Sequence, residues 1–534
     1  MAGLSGLVRL EHLRAFATGL SNESAGWAPA EVAYDLWTFT LLAATIDAQM
    51  GLGQKRIVAA LAAVLVLVFA AFVIASLGGS DDEPIAAETS TSRAEPASST
   101  SGPTSTTSTT SSTTTSTTTT STTSTTVSPA EGDLDPSFGL TGIVFTDFGT
   151  NEQATAVAVQ QDGKILGIGQ IQNLMDFGLA RYNQDGALDP TFGTGGRVVS
   201  DFGTDNDRAT AVAIQADGKI VVAGNNGFDV LLVRYEQDGT LDQTFAGGAV
   251  TAGLAGDYRA EGLALQRDGN IVVAGSFAPE GATSYSDLLV MRFLSDGTLD
   301  PTFGSGGLVM SAGVGARAVA VQTDGKIVAV GGQQTTFEGC APDDPCDVAF
   351  ALVRYNPDGS LDTSFGVGGK VTTGRPGETN EAGGMVVQPD GKIVVIGGRD
   401  TRPLAFSDFL VVRYNSDGTL DSSFGAGGEV VTDFGAHDFA RAVALQSDGK
   451  IVAAGAGRLD DPLAAVDIAV ARYHPNGTLD PSFGFGGKVL VHVGNTDGAQ
   501  ALALQPDGKI VIAGFGGSPL WDFALVRLIG TAAG

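Results

Sequence analysis

Cysteine is nearly absent from this chain: 534 residues carry two, Cys340 and Cys346, both inside CAPDDPC. Two thiols cannot staple a large domain, and without neighbouring histidines they do not make a four-ligand zinc site. The four histidines (His12, His437, His474, His492) share no local motif. Positive charge is scarce as well, with 30 Lys and Arg against 59 Asp and Glu, a net charge of −29 and a pI near 4.3. That balance excludes nonspecific nucleic-acid binding, which needs a basic surface to neutralise phosphates. No G-x-S-x-G, H-E-x-x-H, Walker loop or C-x-x-C occurs, so the familiar hydrolase, metalloprotease, nucleotide and thiol-redox signatures are missing. These absences lean against an enzyme.

Glycine is plentiful, 75 residues or about twice average usage, without a collagen period, which points to many tight turns. One long apolar run exists, Ile57–Leu77, uncharged and free of proline. Its length suffices for the ~30 Å hydrocarbon core as a helix. Lys55 and Arg56 precede it and Asp81, Asp82 and Glu83 follow, so the N-terminus is expected in the cytoplasm and the bulk outside. A cleaved signal peptide ending at Val73–Ile74–Ala75 is the alternative; the run exceeds the usual h-region, which favours an uncleaved anchor. Met50 followed by GLGQKR reads like a natural start, so residues 1–49 are either a misplaced start or a short cytoplasmic tail. From Ser98 to Thr126, 27 of 29 residues are Ser or Thr, a tract too poor in apolar groups to offset the entropy of ordering. It reads as a disordered stalk open to O-glycosylation. The expected organisation is a cytoplasmic segment at 1–55, a membrane helix at 56–78, a stalk at 79–130 and a folded domain at 131–534.

That last domain is a repeat array. The segment LD-x-x-F recurs at Leu134, Leu188, Leu241, Leu299, Leu361, Leu420 and Leu479, at spacings of 54, 53, 58, 62, 59 and 59. Each unit carries an Ala-rich run (ATAVAVQ from Ala154, ARAVALQ from Ala440), a D-G turn, a run such as KIVVAG, a run ending in Arg-Tyr or a near relative, a second turn of D-G type, and LDPSFG or a near relative leading to a short β-rich stretch. Runs of four to eight residues rich in Val and Ile, joined by D-G, are strand and hairpin signals. Small side chains on the first run suit an innermost strand, where wedges converge on an axis. Four antiparallel strands repeated seven times predict a seven-bladed β-propeller, all-β. The array opens with the last strand of a unit and closes with the third, so the N- and C-terminal strands are expected to share one blade and close the ring.

The pattern LDxSFGxGGxV…AVAxQxDGKIVVAG…DFxLxRYNxDGxLD resembles the bacterial delta-sixty repeat, an uncharacterised propeller-forming family. The resemblance implies the fold over about three quarters of the chain and no activity. Blade four departs from it, with Asp347 seven residues before Arg354 rather than five; blade three has Asn270 and Phe293 for the usual Lys and Tyr. Recurring Trp, usual in quinone-cofactor propellers, is absent here, Trp521 being the single one in the repeats.

The Arg repeated in every blade (Arg181, Arg234, Arg292, Arg354, Arg413, Arg472, Arg527) is expected to serve the blade, by capping or an ion pair, and each D-G Asp its own turn. Function belongs where the repeats differ. The loops after VxG and before the Ala-rich run lie on the face opposite the D-G turns, and the former vary from four residues (Asn225–Phe228) to fifteen (Gly332–Cys346). Candidate ligand-binding residues there are Tyr258, Arg259, Tyr285, Phe337, Arg399, Arg402, His437, Asp438, Asp460, Asp461 and Trp521. Cys340 and Cys346 are expected to form a local disulfide in an oxidising exterior. No cofactor is expected, with calcium the one candidate ion for acidic loops. The sequence therefore predicts an exported, membrane-tethered, monomeric propeller that binds a protein or glycan through its variable-loop face. Two alternatives stay open: a hydrolase or lyase with carboxylates in the central funnel, and a structural envelope protein.

Overall fold

A computed structural model describes residues 129–171, 176–203, 207–253, 256–280, 287–335, 347–375, 377–401, 407–458, 465–494, 497–517 and 521–530. The membrane segment, the Ser/Thr tract, Tyr285, Phe337, Cys340, Cys346, Arg402, Asp460 and Asp461 lie outside the described residues. Twenty-eight strands, β1–β28 in chain order, form seven four-stranded antiparallel sheets with no helix among the described residues. The chain folds as a seven-bladed β-propeller. Among the described residues, no helix is long and apolar enough to cross a membrane.

Blade 1 consists of β2 (Glu152–Val159), β3 (Ile165–Ile171), β4 (Asp176–Tyr182) and β5 (Arg197–Ser200), paired in that order. The next five blades repeat it. Their innermost strands are β6 (Asp207–Ile214), β10 (Asp257–Leu265), β14 (Val314–Val321), β18 (Glu378–Val387) and β22 (Phe439–Leu445). Blade 7 is assembled from both ends of the array: β26 (Gly498–Leu504), β27 (Ile510–Gly516) and β28 (Asp522–Leu528) are completed by β1 (Ile143–Thr146). Ile143 pairs with Val526 and Thr146 with Phe523, the closure expected from the order of the repeats.

The core lies between blades. One apolar cluster joins Val221, Leu232 and Phe245 of blade 2 to Ile271, Val273 and Phe293 of blade 3, and six others bridge their own blade pairs. Strands buried on both faces read as near-continuous apolar runs, which is why DVLLVRY and IVVIGG show no alternation. Two strand lengths differ from the sequence reading. Pairing continues past the VxG glycine, so Asn226 pairs with Asp229 and the blade 2 loop shrinks to two residues. In blade 4 the third strand begins at Asp347, which pairs with Thr335, and the displaced Asp is the start of a hairpin two residues longer.

The repeated Arg is a blade lock. In each blade its Nε donates to the Asp of the LD motif at 2.6–2.9 Å, from Arg181–Asp189 round to Arg527–Asp135. The guanidinium stacks 4.4–4.6 Å from the ring of the Phe three residues beyond that Asp. Its Nη1 donates to a backbone carbonyl beside a D-G turn of the next blade, as Arg181 does to Gln237. A Lys after the first D-G turn adds a second cation to the same Asp in six blades, for example Lys392 to Asp421 at 2.9 Å. Hydrogen bonds from Ser or Thr and these cations hold Asp189, Asp242, Asp362, Asp421 and Asp480 well below the usual carboxylate range against the opposing pull of burial. The charge ring is thus buried and internally satisfied, on the D-G side.

Candidate functional site

Each innermost strand carries a β-bulge at the same place. The register shifts between Ala154 and Ala156, and equivalently in β6, β10, β14, β18, β22 and β26. The skipped residues are Thr155, Thr210, Glu261, Arg317, Gly383, Arg441 and Gln500, and all seven line one cavity of about 130 Å³ on the propeller axis. A bulge turns an extra side chain out of the pleat; here six blades turn one toward the channel, and blade 5 offers only Gly383. The VxG glycine permits this. A Cβ on Gly455 would lie far inside contact with the Phe439 carbonyl oxygen, and Gly169, Gly275 and Gly514 face the equivalent carbonyl in their blades.

The bulge falls near mid-strand, from the third of seven residues in β22 and β26 to the sixth of ten in β18, and the variable-loop face lies at the end where these strands start. Arg208, Glu381 and Phe439, one residue before the Ala of their strands, complete the lining with Ala382. Arg317 lies 3.0 Å from Glu381 and 3.8 Å from Glu261. Arg441 stacks on Phe439 at 5.1 Å and has no carboxylate partner among the described residues. Although open to the channel, Arg441 is enclosed by protein, and desolvation followed by repulsion from Arg317 lowers its pKa, with Glu381 opposing and Arg208 adding to the repulsion. Three guanidiniums against two carboxylates make the lining net positive in a chain of net charge −29. Converging cations over an aromatic ring can hold an anion and stack a planar group on the ring.

The sequence candidates are scattered by comparison. Arg259 is exposed and occupies the register of Arg208 and Glu381, one before its Ala. Tyr258 is fully buried and packs on Phe277 with ring centroids 4.8 Å apart, a core position rather than a surface one. Asp438 is also fully buried; its carboxylate accepts from the backbone N–H of Phe434 and Arg458. Burial, with repulsion from Asp433 and Asp408, pushes it up to about 6. Arg399 is engaged by Glu378 and lies 3.6 Å from Glu429, a network on blade 5. His437 is exposed with φ +61, and Trp521 is half-buried against Phe515, its backbone N–H donating to Asn151 Oδ1. The structure does not gather these side chains into one site. The channel residues escaped the sequence reading because they sit inside the most uniform-looking segment. The signal was nonetheless there: the position after the leading Ala reads Thr, Thr, Glu, Arg, Gly, Arg, Gln around the ring.

A second set of charged groups recurs at blade boundaries on the same face. Asp147, Glu152 and Asp522 cluster there, as do Asp176, Asp201 and Asp207, then Asp408, Asp433 and Asp438, and finally Asp467, His492 and Asp497. Each set takes one residue from the third strand of a blade, one from the end of its outer strand and one from the entry to the next blade. In blade 3 the entry position is Tyr258, which explains its burial: it stands where Glu152 and Asp207 stand in their blades.

The family described as "Domain of unknown function (DUF5122) beta-propeller" matches residues 160–192, 215–245, 266–303, 347–365, 388–424, 446–483 and 505–528. These seven matches, one per blade, support an uncharacterised propeller-forming repeat family. No curated protein matches the chain. Among solved structures, a catalytically inactive virginiamycin B lyase from Staphylococcus aureus aligns at 10% identity and TM-score 0.43, over 72% of this chain and 98% of that one. A protein of unknown function from Dyadobacter fermentans aligns at 12% identity and TM-score 0.37, over 72% and 99%. An ulvan lyase of a polysaccharide lyase family aligns at 13% identity and TM-score 0.40, over 72% and 95%.

Proposed function

We propose that the propeller is an exported binding module that holds an anionic group of a glycan or protein ligand inside the central channel, entered from the variable-loop face. The observation that carries this reading is Arg441: a guanidinium on an aromatic ring, lacking a carboxylate partner among the described residues, with Arg208 and Arg317 lining the same cavity of an acidic protein. A locally positive cavity in a negatively charged exterior admits small anionic groups of a ligand while repelling bulk polyanions at long range. The apolar run at Ile57–Leu77 and the Ser/Thr tract after it support display outside a membrane on a stalk. The repeat pattern supports the delta-sixty type of propeller repeat.

Binding to uronic-acid, sulfated and neutral oligosaccharides, compared by calorimetry on the intact chain, tests the proposal. Affinity for one acidic class, falling at least tenfold in Arg441→Gln and weakening with salt, is expected; equal affinity for neutral sugars, or an indifferent Arg441→Gln, refutes it. Glu261 and Glu381 in the funnel favour a second reading, a lyase or hydrolase working on the same ligand. Both carboxylates face Arg317, which suits a charge-positioning role better than proton donation. Turnover of the bound oligosaccharide, abolished in Glu381→Gln with binding retained, would select that reading.

A further inference from the structure

We infer that the carboxylates of Asp147, Glu152 and Asp522 bind a calcium ion that staples the closure of the ring. Asp522 opens β28, the C-terminal strand; Asp147 follows β1, the N-terminal strand paired with it; Glu152 opens β2 of the next blade. One oxygen from each lies within 4.8 Å of the other two. Oxygens on opposite sides of a calcium ion, at about 2.4 Å each, are about 4.8 Å apart, so the three fit around one ion. An all-carboxylate set without nitrogen or sulfur selects a hard cation.

Glu152 supplies the independent sign of a missing partner. It is fully buried, and its Oε1 accepts from the backbone N–H and hydroxyl of Thr150 at 2.6 and 3.0 Å. Its Oε2 is buried and accepts nothing from the described residues. A buried carboxylate oxygen without a donor carries a large desolvation cost. Here that cost is compounded, since the charges near Glu152 include Asp147 and Asp522, and the carboxyls of Glu152 and Asp522 are both raised, chiefly by burial. No Lys or Arg among the described residues forms an ion pair with any of the three. The backbone is already fixed around the cluster: Glu152 N–H donates to the Trp521 carbonyl at 2.8 Å, and Trp521 N–H to Asn151 at 3.1 Å. The site is therefore held in place by contacts that do not themselves neutralise it. Asp176–Asp201–Asp207 and Asp408–Asp433–Asp438 repeat the arrangement at two other blade boundaries.

The test uses the full chain in detergent, stripped of metal, titrated with calcium chloride and read by equilibrium dialysis and thermal unfolding. Calcium should raise the unfolding temperature, and the number of ions bound should fall by one in Glu152→Gln and likewise in Asp522→Asn. The two conditions should also invert the order of stability. In chelator Glu152→Gln unfolds at a higher temperature than the parent, because a buried repulsive charge has gone; in calcium it unfolds at a lower one. No calcium bound at millimolar concentration overturns the inference. So does an unchanged stoichiometry in both variants, or magnesium filling the same site equally well.

Discussion

Thr146→Val should destabilise the propeller more than its size suggests, and Tyr182→Phe beside it should undo much of the damage. The Tyr182 hydroxyl is 2.6 Å from Thr146 Oγ1, both groups are buried, and burial raises the phenol pKa, so the ring stays protonated and needs its partner. Related pairs join Ser200 to Tyr235 at 3.0 Å, and Ser311 to Tyr355 and Thr432 to Tyr473 at 2.8 Å each. Two blades dispense with the bond by changing both members together. Ala252 packs in one cluster with Phe293, and Val491 in one with Leu528. Val for Thr keeps the shape and removes the hydroxyl, leaving an orphaned buried phenol worth about 1–3 kcal/mol. Tyr182→Phe alone strands the threonine at a similar or smaller cost, while the double variant reproduces the all-apolar solution already present elsewhere in the ring. Urea unfolding of the four proteins gives the cycle. A coupling of about 1 kcal/mol or more is expected, and additivity within about 0.5 kcal/mol would refute the argument.

Arg413→Met removes one partner of a buried pair with Asp421 and should cost about 3–5 kcal/mol in urea unfolding. Gly455→Ala should cost about 2 kcal/mol or more, because its Cβ meets the Phe439 backbone carbonyl rather than a movable side chain. Asn270→Lys gives blade 3 the cation its counterparts possess; a gain below about 1 kcal/mol is expected, since the lysine head is partly solvated. In chelator, stability should fall as pH rises from about 4 to about 6 on account of Asp438: its folded carboxyl titrates at about 6, above the ordinary 3.8 of an aspartate, so the native state retains a proton the unfolded chain has lost. Asp438→Asn should flatten that limb of a pH series of unfolding curves, and an unchanged slope would refute the assignment.

Strand number, blade count and ring closure were legible because each is written seven times, and local turn chemistry agrees with the apolar runs at every copy. The D-G turns mark one face, and the Arg-Phe-Asp lock recurs at fixed offsets from LD-x-x-F. The channel was harder to see, since a β-bulge is a backbone irregularity whose trace in sequence is indirect. Its marks are a glycine across the hairpin, Gly169 or Gly455, and one unconstrained letter in an otherwise alanine-rich strand. The loop-face candidates misled for a physical reason: a residue between strands need not be exposed, and Tyr258 and Asp438 fill the seam between neighbouring blades. The acidic triads were invisible as units because Asp147, Glu152 and Asp522 meet only when the ring closes.

The seam where the two ends of the array meet also sets how the molecule bears load. Tension applied from upstream of residue 129 reaches the ring first at Glu131, which engages Arg472 and whose carbonyl accepts from the Gly484 N–H at 2.9 Å, and then at Gly132, which donates to Ile529 at 2.7 Å. Beyond those clasps the pull meets the Leu134–Leu528 bridge and the Asp135–Arg527 pair before it reaches β1, whose four residues pair side by side with β28. A strand drawn along its own axis loads all its cross-links at once instead of peeling them singly. The entry of the chain therefore acts as a shear joint, and the force is shared with blade 6 before blade 7 can open.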